Sequence, residues 1–371
     1  MRPGDVDVVI AGGGPAGAAA GLALARAGLR VRLCEHDPAR PFRVGEGLPP
    51  SARSLLRDLG VLERLAADGH RPSPGTLAFW GGDAAHAEHT LFGVNGHGWQ
   101  LDRVRFDGML RDAAAAAGAD VRRATLRLDA AGDARTPHRL VARDGHGLET
   151  RFEARWLIDA SGRAATFARA MGAARIAHDR LFALHQRLHG GGDSDRDGRT
   201  WVESVEDGWW YSVLLPSGER LVAFLCDADA ATRRRLLGDH GLWRHLARAP
   251  QLHALCRAHA WRPHGRALGA EASSAELDPV AGDRWLAVGD AALAFDPLSS
   301  KGIASALYTG LRAADAILAC DYGDAAATGA YARHLHDIHR VYREQLRAFH
   351  AMETRWPHAP FWQRRRATAA A

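Results

Sequence analysis

The chain has 371 residues, 47% of them hydrophobic, and a formal charge of +5. That is longer than one ordinary domain and apolar enough for a substantial core, which argues against general disorder. The cations are scattered and largely matched by acids, with no basic stripe interleaved with aromatics, so no nucleic-acid partner is expected.

Every cationic side chain among the 48 Lys and Arg residues is arginine except Lys301. The bias toward Ala, Arg and Gly reads as a coding preference, so most arginines need no separate explanation. No charged-then-apolar leader precedes the first strand, and no apolar run of about 18 residues occurs, so no membrane span is expected. Cys34, Cys226, Cys256 and Cys320 are far apart and form neither metal spacing nor a redox pair. A reducing cytoplasmic setting without a bound metal is expected.

In chain order, Val6–Ile10 predicts a strand and Ala11–Ala16 a tight turn. A helix runs on to about Ala27, with Gly28 as its stop, and Leu29–Glu35 predicts a second strand. After Gly45-Glu46-Gly47-Leu48-Pro49-Pro50 comes a short helix, Ser51–Leu59. A helix near Val104–Ala117 and a strand near Asp120–Leu128 keep the α/β rhythm, and Arg155–Asp159 reads as a buried strand. Between about 176 and 275 the texture changes. Trp209–Pro216 and Arg220–Cys226 flank a Pro-Ser-Gly-Glu turn, a hairpin signal. Residues 189–199 are of low complexity and predict a mobile loop, and Ala230–Cys256 a helical patch. The α/β pattern resumes at Arg284–Val288, followed by a long helix from near Gly302 and an amphipathic one over Ala330–Phe349. The Trp/Phe-rich tail beyond it is expected to offer a partner or dimer surface.

The motif Gly12-x-Gly14-x-x-Gly17 joins the first strand to the first helix. Gly12 permits the sharp turn, Gly14 lets backbone approach a pyrophosphate, and Gly17 allows helix and strand to pack closely. Pro15 and Ala16 open the helix, whose free N–H groups favour an anion. Glu35, at the end of the second strand, is spaced to accept hydrogen bonds from a ribose. Asp159-Ala160-Ser161-Gly162 and Gly289-Asp290 each put an acid and a glycine at a strand end. Either one alone reads equally as a strand-to-helix turn.

On these three motifs the chain resembles the FAD-dependent aromatic hydroxylase superfamily over nearly its whole length. The resemblance implies an α/β (mixed α+β) fold. A Rossmann-like FAD-binding domain of the glutathione-reductase type (residues 1–75, 99–175 and 276–320) is interleaved with a substrate sheet (76–98 and 176–275). A helical segment (321–371) follows. It places Glu35 at the adenosine ribose, Arg103 near the phosphates or ribitol, and Asp290 at the ribitol, with Arg43, Asp159 and Gly162 also lining the cofactor. Arg103 reads equally as a solvated arginine at a helix start. Pro297, Ser300, Lys301, Gly302 and Ile303 would lie where a helix N-terminus points at the flavin and stabilises its anionic reduced form. Lys301 adds a charge there or is simply a surface lysine.

A narrower resemblance rests on Gly45–Pro50, Gly208-Trp209-Trp210-Tyr211-Ser212, Asp296–Ser300 and Arg355–Arg365. These look like the tryptophan-halogenase-like branch, and within it the flavoproteins that mature tryptophan-derived quinone cofactors of lysine-ε-oxidases and quinohemoprotein amine dehydrogenases. Halogenases of that branch carry a lysine on the strand after the Gly-Glu motif, here Thr76–Phe79, where this chain has none. Their Trp-x-Trp-x-Ile-Pro signature is replaced by Trp209-Trp210-Tyr211-Ser212-Val213-Leu214-Leu215-Pro216. Halogenation is therefore disfavoured.

The function so implied is FAD-dependent monooxygenation of an electron-rich aromatic ring through a flavin C4a-hydroperoxide. The preferred target is a tryptophan side chain of a partner polypeptide, and Lys301, His185 and Trp210 are the candidate catalytic residues. His185 reads also as a core histidine, and the aromatics of its neighbouring strand also as sheet packing. No second Gly-x-Gly-x-x-Gly unit is evident, so electrons come from transiently docked NAD(P)H or from a separate flavin reductase. A hydroxylase of a small aromatic intermediate, an FAD-dependent reductase of isoprenoid double bonds and a non-catalytic flavoprotein chaperone are the alternatives.

Overall fold

The computed structural model describes residues 4–36, 42, 44–90 and 93–367. Its first sheet is built around the strand Val6–Ala11, whose Val8, Val9 and Ile10 are fully buried. Burial on both faces is what a parallel strand covered by helices requires. Val6–Ala11 pairs in parallel with Val31–Glu35, Ile10 opposite Leu33, and with the end of Glu149–Asp159, Ile10 opposite Ile158. Asp120–Ala130 extends the parallel core on one side and Trp285–Ala287 on the other. Asp120–Ala130, His138–Asp144 and Glu149–Asp159 fold back on one another as an antiparallel meander.

The helix Pro15–Arg26 lies against two others, Arg103–Ala116 and Gly302–Asp321. Asp102 caps the second by accepting from the amides of Val104 and Arg105, which fixes where it starts. Gly302–Asp321 is, among the described residues, long and apolar enough by composition to cross a membrane. Here its apolar stripe, including Ile303, Leu307, Ala314 and Ile317, is buried in the protein core.

A second sheet has seven strands in the order Arg262–Glu271, Phe182–His189, Arg220–Cys226, Gly208–Leu214, Thr200–Val205, Gly75–Phe79 and His86–His89. Its neighbours are antiparallel except Thr200–Val205 with Gly75–Phe79. The hairpin read from the sequence is present, with Tyr211 opposite Ala223. Side chains alternate across the sheet. Trp210, Val222 and Phe224 lie in a core with Leu236, Leu242 and Leu252 of the helices at 230–258. Trp209, Tyr211, Ala223 and Leu225 belong to the opposite face, with Trp80, Leu298 and Trp362. The architecture is thus mixed α/β, with a Rossmann-like body, an interleaved sheet, and C-terminal helices Ala327–Ala351 and Pro360–Ala367.

Two expectations fail. The stretch 189–199 is anchored, because Asp195 is buried and its carboxylate accepts from Arg220 Nε at 2.9 Å and Trp261 Nε1 at 2.8 Å. The aromatic tail is not a free surface either. Trp362 is fully buried and donates its indole N–H to the Val205 carbonyl at 2.9 Å, and Phe361 is buried beside it. In both cases a polar anchor on the second sheet holds a segment that its composition alone leaves free.

Candidate active site

The turn after the first strand forms because its glycines tolerate what other residues do not. At Gly12, with φ of +114°, a Cβ would stand 2.2 Å from the Ala160 carbonyl oxygen. At Gly17 it would stand 2.0 Å from the Gly12 carbonyl oxygen, so the helix sits directly on the turn. At Gly14 a Cβ would meet nothing within 4 Å. This is the open side of the turn, where a pyrophosphate can approach the N-terminus of the helix opened by Pro15 and the buried Ala16. Glu35 accepts from the Gly13 amide at 2.7 Å, which sets its carboxylate against the turn. Arg111, which the sequence did not single out, donates to the Gly13 carbonyl at 3.1 Å.

The other predicted cofactor residues divide by what they touch. Asp290 keeps a partly exposed carboxylate, 3.5 Å from Arg163 Nε, and the neighbouring Gly289 amide is held by Thr309 Oγ1 at 2.8 Å. Asp159 is fully buried, and its oxygens accept from Ser161, Phe167 and Ala168 amides at 2.8–2.9 Å. It therefore shapes the turn containing Gly162 (φ +68°) and does not itself reach into the cleft. Arg103 is spent on Asp107, at 3.1 Å and 3.2 Å, and on the Gly45 carbonyl at 2.9 Å, so it steadies the Gly45–Glu46 loop. Arg43 lies outside the described residues.

Asp296 opens the second motif. Its carboxylate accepts from the Leu298 amide at 2.9 Å, and its own amide donates to the Tyr342 hydroxyl at 2.6 Å. Burial, reinforced by the nearby Asp179, pushes its carboxyl up to about 7. Pro297 begins a tight turn, Ser300 takes a left-handed conformation (φ +51°), and Gly302 and Ile303 start the long helix. Lys301 is exposed, and its ammonium donates to Gln345 on Ala327–Ala351 at 3.3 Å. That contact ties it to the outer helix.

Strand parity divides the aromatics of Gly208–Leu214 between two faces. Trp209 and Tyr211 share a face with Leu298 of the second motif, whereas Trp210 packs at a tilt on Phe224 beneath the sheet, with ring centroids 4.9 Å apart. The candidate aromatics are therefore Trp209 and Tyr211, because the two-residue period of a strand turns Trp210 away. His185 is buried opposite Ala223 on the strand next to Tyr211's partner, with Phe42 6.0 Å from its ring. Glu46 joins this group. It is buried, its carboxylate accepts from the Gly45 amide at 3.0 Å and shares a hydrogen bond with the Tyr211 hydroxyl, and burial pushes its carboxyl up to about 7. Burial and the adjacent Glu46 likewise hold Tyr211 well above the usual phenol range. Gly45-Glu46-Gly47 was visible as a motif, but its pairing with Tyr211 spans 165 positions and carries no local signal.

Residues 5–332 match the family of FAD binding domains. LodB of Marinomonas mediterranea, named as an FAD-dependent oxidoreductase, is 29% identical over 98% of both chains. A 1H-pyrrole-2-carbonyl-[peptidyl-carrier protein] brominase of Pseudoalteromonas luteoviolacea is 28% identical over 84% of this chain and 77% of its own. Among solved structures, the flavin-dependent halogenase CmlS superposes with a TM-score of 0.86 at 26% identity, covering 98% of this chain and 68% of that one. The peptidyl tryptophan dihydroxylase QhpG does so with a TM-score of 0.74 at 25% identity, covering 97% and 78%. The open side of Gly14, the Glu35 carboxylate against the turn and the exposed Asp290 carboxylate fit an FAD molecule laid across this face. With its Gly-rich turn, ribose acid and helix-start motif in one fold, the chain belongs to the FAD-binding family of flavin oxidoreductases that includes halogenase-like and hydroxylase-like enzymes.

Proposed function

We propose that this protein is an FAD-dependent monooxygenase that hydroxylates an electron-rich aromatic ring, with a tryptophan side chain of a peptide or protein as its preferred target. The observation that carries the reading is that Leu298 of the Asp296–Ser300 motif packs with Trp209 and Tyr211 on a sheet face whose strand Gly75–Phe79 holds no lysine. FAD, when bound and reduced, supplies the oxygen-transfer chemistry. The chain's residues do the rest. Trp209, Tyr211 and Leu298 offer an apolar wall to an indole and keep water out. Glu46, with a carboxyl near neutrality beside the Tyr211 hydroxyl, holds or releases a proton at that wall. The similarity to the peptidyl tryptophan dihydroxylase supports this reading, and that to LodB over the full chain supports an FAD-dependent oxidoreductase. Electrons are expected from NAD(P)H or a separate flavin reductase, and the setting is expected to be cytoplasmic.

Halogenation is the second reading, favoured by the brominase and halogenase relatives. The two differ in product. Incubation with tryptophan-containing peptides, a flavin reductase system, dioxygen and bromide, followed by mass spectrometry, separates them. Gain of one or two oxygen atoms supports hydroxylation. A bromine isotope pattern sinks it, and a small aromatic converted in place of every peptide moves the substrate to the natural-product class.

A further inference from the structure

One side-chain cluster, away from the cleft, has no part in the function above. It sits where the chain passes between the two sheets, on the ribbon of Ala174–Ala177 and Ala275–Asp278. Glu276 lies there opposite Ile176 on one side and Leu293 on the other. His178 Nε2 is 3.1 Å from Glu276 Oε1, and His339 Nδ1, from the helix Ala327–Ala351, is 3.0 Å from Glu276 Oε2. One ligand atom from each of the three falls within 4.8 Å of the others. One helical turn before His339, His336 brings its Nδ1 to 3.9 Å from the same carboxylate oxygen.

We propose that His178, Glu276 and His339 bind a divalent transition-metal ion of the zinc class, with His336 as the fourth ligand. Imidazoles with one carboxylate are the donor set that zinc prefers among biological cations, and exclude calcium or magnesium as the preferred occupant. A tetrahedral site with bonds of about 2.0–2.1 Å has ligand–ligand edges of about 3.3 Å, close to the separations here. The spacing His336-x-x-His339 places both rings on one helix face.

A solvent cleft of about 250 Å³ lined by Glu276, His336, His339, Arg340, Arg343, Glu344 and Arg347 gives the ion its entry path. Arg343 and Arg347 oppose a dication, Arg340 is paired with Glu344 at 3.1 Å, and the Glu276 carboxylate supplies the charge that holds the ion. The site ties the outer helix to a strand whose neighbour, Leu293–Ala294, runs directly into Asp296. Its role is therefore to clamp the segment at the head of the flavin-facing helix, apart from the redox chemistry.

The test uses the flavin-loaded protein, stripped of metal with a chelator and titrated with zinc against a chromophoric competitor, with bound metal counted after gel filtration. One tight site per chain is expected. Glu276→Gln and His339→Ala should each weaken it by more than about 100-fold, beyond the loss typical of an outer-sphere partner. His336 is exposed, so His336→Ala keeps the fold and should weaken zinc by on the order of 10- to 100-fold. In each variant the flavin absorbance and elution volume stay unchanged. The trio His189, Glu219 and His264, with both imidazoles exposed, lies equally close together, so His264→Ala serves as a control that should leave the tight site intact. Absence of a tight site in the wild type, or zinc binding unaltered by His336→Ala and His339→Ala, overturns the proposal.

Discussion

Replacing Glu46 with glutamine probes the electrostatics of the cleft. Glu46 is buried, and burial pushes its carboxyl up from 4.5 to about 7 despite hydrogen bonds from its own and the Gly45 amide, the charge of Arg103 and the Tyr211 hydroxyl. Between those values the folded protein holds a proton that the unfolded chain has released. Its contribution to stability is therefore complete below about pH 4.5 and is lost as pH rises to about 7. The excursion amounts to about 3 kcal/mol. The glutamine side chain keeps the carbonyl that accepts from the Gly45 amide and cannot ionise, so this loss is absent from Glu46→Gln. Asp296, pushed up in the same direction, is present in both proteins and cancels from the comparison. Chemical denaturation followed by tryptophan fluorescence at pH 5 and pH 8 measures the effect. The variant should gain about 2–3 kcal/mol on the wild type between the two. An unchanged difference, or a wild type that gains on the variant as pH rises, would refute the buried, neutral Glu46 described above.

Gly17→Ala drives a Cβ to 2.0 Å from the Gly12 carbonyl oxygen and should give an unfolded or flavin-free protein, whereas Gly14→Ala meets no protein atom. Gly14→Ala should thus fold normally but weaken FAD by at least about tenfold, or 1.4 kcal/mol, in fluorescence titration. Asp195→Ala strands the buried Arg220 and should cost about 3–5 kcal/mol in denaturant unfolding. Lys301→Met removes one exposed contact with Gln345 and should leave flavin reduction and turnover unchanged in stopped-flow assays; a large loss would restore Lys301 to the site.

The cradle was legible because its signals are local. Gly12, Gly14 and Gly17 follow a strand and open a helix within a dozen residues, and each glycine reports a backbone approach that side chains forbid. The same holds for the hairpin around Tyr211 and for Gly302–Asp321, whose periodicity and preceding turn mark its start. Less legible was which partners, near or far, already engage a side chain. Asp159 looked like a sugar ligand, yet its oxygens are filled by the amides of the turn it closes. Arg103 looked like a phosphate ligand but is claimed by Asp107 one turn along its helix. The Asp195–Arg220 pair and the Trp362–Val205 hydrogen bond join segments 25 and 157 positions apart, so composition suggested a loose loop and a sticky tail. Trp210 lies on the face opposite Trp209 and Tyr211, because an alternating strand fixes parity but not which parity packs beneath the sheet.

The reaction we propose for this flavoprotein is oxygen insertion into an aromatic ring. The most direct measurement is product mass after turnover in isotopically heavy dioxygen, with a tryptophan-containing peptide, reduced flavin and bromide all present. Heavy oxygen incorporated into the tryptophan ring, and no bromine, is the predicted result. A brominated product, or a reduced substrate formed without dioxygen, would contradict it.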